Sequence, residues 1–147
     1  MQSVNPATGQ LIRDYPEHGP AECAAILDDV TRAARDFSRT TFAQRARCMH
    51  ALADLLAAEA PKHARLITTE MGKLVREAEA EVKKCAQVCA YYAQNAQAML
   101  APAPVPTAVA ASSVIFEPLG TILGVMPWNF PFWQAIRFAA PAIMAGN

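Results

Sequence analysis

Cysteine and histidine are the residue types in this sequence best suited to metal binding or nucleophilic chemistry. Cys85 and Cys89 lie four residues apart on a predicted helix, as half of a metal site would, but no histidine or second cysteine pair is spaced to complete it. We interpret both as small buried apolar residues and expect no metal site. His18, His50 and His63 have no adjacent Ser or Cys in a nucleophile pattern, so we expect them on the surface.

Charged residues can bind substrates, and their distribution along the chain is uneven. The 147 residues include 13 basic and 13 acidic side chains, and 24 of these 26 lie between Arg13 and Lys84. The last 63 residues contain only Glu117 and Arg137, which is too little charge to cover a surface. This half is therefore expected to be buried in a membrane, in an interface between subunits, or in a larger protein of which this sequence is a part.

Arg137 is isolated on a predicted apolar helix and has two interpretations. It can pair with a substrate carboxylate, or it can form a buried structural ion pair with a segment outside this sequence. The Arg and Glu clusters of the first four predicted helices, including Glu77, Glu79 and Glu81, are most simply solvated helix faces.

Composition and local pattern exclude several classes of protein. Balanced charge without a basic stripe argues against a nucleic-acid partner. The N-terminus lacks a basic region followed by an apolar stretch, so no secretory signal is expected and the cytoplasm is the expected compartment. The uncharged run from Pro118 to Ile136 contains Pro127, Asn129 and Pro131, a spacing that predicts strand, turn and helix rather than a membrane span.

The first hundred residues predict a hairpin followed by four helices. Asn5–Gly9 is a turn sequence that should join two short strands. Helices are expected from Pro20, from an N-cap at Thr41, from Pro61 to a left-handed C-cap at Gly72, and from Lys73 to the prolines at 102, 104 and 106. On the second helix, Leu55 is expected to face inward and Arg45 outward.

The apolar half predicts the beginning of an α/β unit. Residues 107–117 are β-prone, and Thr121–Met126 is a short apolar run typical of a strand inside a parallel sheet. A helix is expected from about Phe132 to Met144. By composition alone, Trp128, Phe130 and Trp133 would be aromatic core at the turn between that strand and that helix.

The ordered residues from Glu117 to Pro131 (EPLGTILGVMPWNFP) closely resemble the aldehyde dehydrogenase superfamily. Supporting segments are Asn5–Gly9, Glu70–Lys73 with the following Glu81, and the final Ala-Gly-Asn. The segment from Met126 to Gln134 is most similar to the NAD(P)-dependent succinate-semialdehyde dehydrogenases of bacteria. The resemblance covers the whole chain in order.

The resemblance implies roles for residues of the Pro-Trp-Asn-Phe-Pro motif. A cysteine thiolate attacks an aldehyde, the oxyanion passes hydride to NAD or NADP, and water then releases the acid. Asn129 would donate from its side-chain amide to the oxyanion, and Phe130 would line the substrate tunnel. The cofactor-binding residues implied are Val125, Met126, Pro127, Trp128 and Asn129. In the family the nucleophile and the general-base glutamate lie beyond the position of Asn147, and none of the four cysteines here matches the nucleophile.

The resemblance therefore implies an α/β, aldehyde dehydrogenase-like fold: N-terminal helices and an incomplete doubly wound parallel sheet. Residues 1–106 and 119–147 would belong to the NAD(P)-binding domain, and 107–118 to a β-hairpin that joins subunits into a dimer or tetramer. We expect a fragment that is inactive alone. The alternative is a truncated paralogue that acts as an interaction module on intact subunits. The choice between NAD and NADP, and the exact aldehyde, stay open.

Overall fold

A computed structural model describes residues 1–108 and 111–147 of the chain. Its elements in chain order are β1 (Gln2–Val4), β2 (Leu11–Asp14), α1 (Pro20–Phe37), α2 (Phe42–Ala58), α3 (Ala60–Met71), α4 (Val75–Met99), β3 (Ala103–Pro104), β4 (Ser113–Val114) and α5 (Pro131–Ala145). The predicted hairpin is confirmed as the antiparallel pair β1–β2, and all five predicted helices are present.

Local sequence signals account for where the helices begin and end. Thr41 and Gln44 form a reciprocal capping box at the start of α2, as the predicted N-cap requires. Gly72 ends α3 with φ +76°, a left-handed conformation that glycine adopts without a Cβ penalty. Pro6 lies so close to Gly72 that an added Cβ would be 3.2 Å from its Cγ. The hairpin turn thus packs against the segment that precedes α4.

The core lies between α4 and the helices α2, α3 and α5. Cys85 and Cys89 are fully buried in it, as predicted. The helix α1 contributes no buried residue. Within the described residues, no helix is both long and apolar enough to cross a membrane.

Two predictions for α2 were wrong. Arg45 is only 5% exposed, whereas Leu55 is 52% exposed. The guanidinium of the buried Arg45 donates to two backbone carbonyls, that of Met144 at the end of α5 and that of Thr40 just before α2, so its hydrogen bonds are satisfied.

The predicted strand over Thr121–Met126 is absent, because these residues pair with no other strand in the part of the chain that the structure describes. Leu123 is 87% exposed as a result. Among its described residues, the β-prone segment forms the short strand β4, which pairs antiparallel with β3, so the ribbon begins at Ala103 rather than at residue 107. Val109, a part of the β-prone prediction, lies outside the described residues.

Candidate functional site

The turn at Pro127–Phe130 leads directly into α5, and the beginning of this helix is unusual. Pro131 occupies the first turn and has no amide hydrogen, while the N-cap Phe130 has no side chain that can accept a hydrogen bond. The carbonyl of Phe130 accepts from the amide of Gln134 at 2.9 Å, the first bond of the helix. The amides of Phe132 and Trp133 must therefore find acceptors elsewhere.

Glu81 of α4 supplies those acceptors. Its Oε1 accepts from the backbone amides of Phe132 and Trp133, each at 3.0 Å. Glu81 is 5% exposed, so the prediction that it belongs to a solvated helix face was wrong. A carboxylate at this position also interacts favourably with the positive end of the helix dipole.

Lys73 completes the contact between α4 and the turn. Its ammonium forms an ion pair with Oε2 of Glu81, and the two side chains are only 9% and 2% exposed. The same Nζ lies 3.4 Å from the carbonyl oxygen of Asn129 and 3.4 Å from the ring centroid of Phe130. Lys73 thus contacts the turn, while its partner Glu81 contacts the beginning of α5.

A cavity of about 580 Å³ opens beside this pair. Its lining residues come from the Lys73 segment, α4, the turn and α5: Lys73, Glu77, Ala80, Glu81, Lys84, Asn129, Phe130, Trp133 and Gln134. The side-chain amide of Asn129 has no hydrogen-bond partner among the described residues. It is therefore free to donate to a ligand in the cavity.

Lys84 is a second cation at this cavity. Its Nζ lies 4.0 Å from the ring centroid of Trp133 and forms no ion pair with a carboxylate of the described residues. The side chain is exposed, so its charge can reach a ligand in the cavity. Sequence reasoning missed Lys84, although it lies one turn after Glu81 on the same helix.

The structure brings together some of the predicted site residues and separates others. Asn129 and Phe130 share the cavity, whereas Val125, Met126, Pro127 and Trp128 do not line it. Trp128 is 75% exposed and borders another cavity, of about 440 Å³, with Pro6 and Phe132. Of the five predicted cofactor-binding residues, Asn129 therefore lines the same cavity as Phe130, and the other four do not.

Arg137 is exposed on α5 and does not line the cavity. It forms no ion pair within the described part of the chain, so neither of its two interpretations is decided.

His18 and His50 are exposed as predicted, but His63 is half-buried and its ring lies 5.0 Å from that of Phe132.

The burial and the positions of the four cysteines do not fit a nucleophile that acts in this cavity. Burial raises the pKa of Cys85 to about 12, and burial also raises the pKa of Cys89. A thiol with so high a pKa is almost entirely protonated at neutral pH and reacts poorly. Cys23 and Cys48 are exposed on α1 and α2, and neither lines the cavity. No group of three or more metal-binding side chains occurs among the residues that the structure describes.

Comparisons with known proteins agree over the whole chain. The model of the aldehyde dehydrogenase family matches residues 1–147. Succinate-semialdehyde dehydrogenase [NADP(+)] 1 of Mycobacterium tuberculosis is 49% identical over 150 residues, which cover 100% of this chain and 33% of the relative. A probable succinate-semialdehyde dehydrogenase [NADP(+)] of Synechocystis is 47% identical over 147 residues, 100% of this chain and 32% of that protein.

Solved structures give the same result for the fold. The succinic semialdehyde dehydrogenase of Streptococcus pyogenes, solved with NADP+, superposes with a TM-score of 0.94 at 30% identity, over 99% of this chain and 32% of that one. The betaine aldehyde dehydrogenase of Staphylococcus aureus, solved with NAD+, has a TM-score of 0.91 at 25% identity, over 99% of this chain and 30% of that one. This chain therefore spans about a third of the length of the curated relatives that it matches.

Proposed function

Because this chain belongs to the aldehyde dehydrogenase family, we propose that it is the part of an NAD(P)-dependent aldehyde dehydrogenase that stabilises the reaction's oxyanion. The observation that carries this proposal is the side-chain amide of Asn129, which has no partner among the described residues and belongs to a residue that lines a cavity next to the beginning of α5. A fixed amide donor stabilises negative charge that develops on a carbonyl oxygen, and it does so without transferring a proton.

In the proposed reaction, a cysteine thiolate attacks the aldehyde carbon and the carbonyl oxygen becomes the oxyanion that Asn129 binds. A bound NAD(P) would supply the acceptor for the hydride of this carbon. Val125 to Trp128 would hold the nicotinamide half of the cofactor, and the exposed apolar side chains of Val125 and Trp128 fit a planar ring. Phe130 would line the path of the substrate to Asn129.

For the substrate we propose succinate semialdehyde or a similar aldehyde that carries a carboxylate. The names of the relatives at 47–49% identity support this choice. Lys84 supports it independently, since this exposed cation lies on the wall of the same cavity and pairs with no carboxylate in the described part of the chain. Arg137 is the second candidate for binding that carboxylate.

We further propose that residues 1–106 and 119–147 form part of an NAD(P)-binding domain and that 107–118 belong to a segment that joins subunits. The exposed Val114, Ile115 and Phe116 support the second part, because an apolar strand edge favours pairing with another chain. The alternative, an interaction module that docks on intact subunits, is supported by the exposed apolar Leu119, Leu123 and Val125.

Two assays test the proposed function. The protein at its full encoded length should reduce NAD(P), followed at 340 nm, faster with succinate semialdehyde than with acetaldehyde or benzaldehyde. The 147-residue chain alone should give no such signal, since none of its cysteines is both exposed and at the cavity. Activity of that chain alone, or preference for acetaldehyde, would contradict the respective part of the proposal.

The variant Asn129→Ala tests the role of the amide. Removal of one oxyanion donor costs about 2.7–4 kcal/mol in transition-state stabilisation, so kcat should fall roughly 10²–10³-fold. Asn95→Ala is the matched control: Asn95 lies on α4, and its side chain donates to the carbonyl of Tyr91 at 2.7 Å. Equal kcat values for Asn129→Ala and the wild type would remove Asn129 from the mechanism.

A further inference from the structure

The Lys73–Glu81 ion pair differs from the other ion pairs of the described residues. The pairs Lys83–Glu79, Lys62–Glu59 and Arg32–Asp29 join residues three or four positions apart on exposed helix surfaces. In the Lys73–Glu81 pair both side chains are buried, and the partners are eight positions apart. Exposed pairs contribute little to stability, whereas removal of one partner from a buried pair leaves a charge without compensation.

Glu81 performs the function of an N-cap from another helix. A cap residue normally lies next to the helix that it caps, but here Phe130 cannot accept a hydrogen bond with its side chain. Both backbone amides that donate to Glu81 belong to the first turn of α5. Their bonds fix the distance and the rotation of this helix relative to α4.

Lys73 contacts Asn129 and Phe130, the two residues that precede Pro131 in the chain. Its ammonium approaches the carbonyl of Asn129 and the ring face of Phe130, and both contacts favour a single orientation of the peptide between them. The Asn129 side chain leaves the backbone at this peptide. A change in the peptide's orientation would therefore change the direction of the side-chain amide.

We propose that Lys73 and Glu81 are positioning residues that hold the Asn129 amide toward the cavity. This inference rests on the proposed function, in which Asn129 binds the oxyanion. Neither residue needs to touch the substrate in this role. Their removal should therefore reduce the rate of the chemical step more than it weakens substrate binding.

The kinetic test uses the protein at its full encoded length. In Glu81→Met and Lys73→Met we expect kcat with succinate semialdehyde to fall at least tenfold, with KM changed less than threefold. Glu81→Gln retains an acceptor oxygen and should recover part of the lost kcat. Glu79→Met is the control, because Glu79 lies on the same helix as Glu81 and pairs with the exposed Lys83.

A single variant leaves one buried charge without a partner and can fail to fold. The double variant Lys73→Met/Glu81→Met is neutral at this site and is measured alongside. Suppose that its melting temperature is within a few degrees of the wild-type value and that its kcat stays at least tenfold below the wild-type kcat. The lower kcat is then due to a misplaced Asn129 amide and not to unfolding. A wild-type kcat in the folded double variant would overturn the inference.

Amide hydrogen exchange gives a readout that does not depend on activity. In Glu81→Met, the amides of Phe132 and Trp133 should exchange at least tenfold faster, while amides in the middle of α4 keep their rates. Unchanged exchange at both amides, or equal acceleration along the whole chain, would overturn the inference. If the wild-type protein oxidises no aldehyde, the proposed function fails, and the exchange measurement still decides whether Glu81 caps the beginning of α5.

Discussion

Arg45→Met should destabilise the chain, because Arg45 joins α2 to the end of α5. Its Nε donates to the carbonyl of Met144 at 3.1 Å, and Nη1 donates to the carbonyl of Thr40 and to its hydroxyl, the latter at 3.2 Å. The guanidinium also lies 4.6 Å from the ring centroid of Phe42. Burial lowers the pKa of Arg45, but an arginine stays charged at neutral pH.

The size of the effect follows from these bonds. Two hydrogen bonds from a charged donor to backbone carbonyls contribute about 3–6 kcal/mol, at roughly 1.5–3 kcal/mol each. Methionine avoids the cost of burying a charge, which offsets part of this loss. We therefore expect the free energy of unfolding to fall by about 2–4 kcal/mol, a large share of the 5–15 kcal/mol typical of a domain.

Urea unfolding followed by circular dichroism at 222 nm measures this change. With a slope of about 2 kcal/mol/M, the midpoint should fall by roughly 1–2 M. Arg47→Met is the matched control, since Arg47 lies on the same helix but is exposed. A loss of less than about 1 kcal/mol for Arg45→Met, or an equal loss for Arg47→Met, would refute the reasoning.

Four further predictions concern exposed apolar residues, thiols and the cavity. The 147-residue chain should bind a hydrophobic dye strongly, and Leu123→Ser should reduce the fluorescence; a chain that binds no dye would contradict the exposure of this segment. Iodoacetamide at pH 8 should label Cys23 and Cys48 but not Cys85 and Cys89, as mass spectrometry of peptides would show. Because the pKa of Cys85 is raised to about 12, its contribution to stability is complete below the unfolded pKa and should be lost from about pH 9 to 12 in urea titrations. Lys84→Met should raise KM for succinate semialdehyde several-fold but not KM for benzaldehyde, and equal changes would exclude a carboxylate contact.

The helices could be predicted from sequence because their signals are local. The capping box at Thr41 and the left-handed glycine at 72 are determined by residues within a few positions of each other. The strand over Thr121–Met126 could not be decided in this way. A strand needs a neighbour for its hydrogen bonds, and no residue type within the segment supplies one.

The two charged residues that were predicted on the surface show why the site was harder to predict. Glu81 lies three residues after Ala78 and four before Cys85, and Arg45 lies four before Met49, all buried positions. Helix periodicity therefore placed both on the apolar stripe, but their charge favoured solvent. The spacing was the better signal, because each side chain finds backbone partners on α5 that the sequence does not reveal.

Glu81 and Arg45 hold opposite ends of α5. Glu81 accepts from its first amides, and Arg45 donates to the carbonyl of Met144 in its last turn. Apolar packing alone resists separation of helices but permits sliding, and a slip of one residue moves a helix by about 1.5 Å. A misplacement of about 1 Å at a reacting centre can cost roughly a hundredfold in rate. Directional bonds to both ends remove this freedom, which explains why charged rather than apolar side chains occupy these two buried positions.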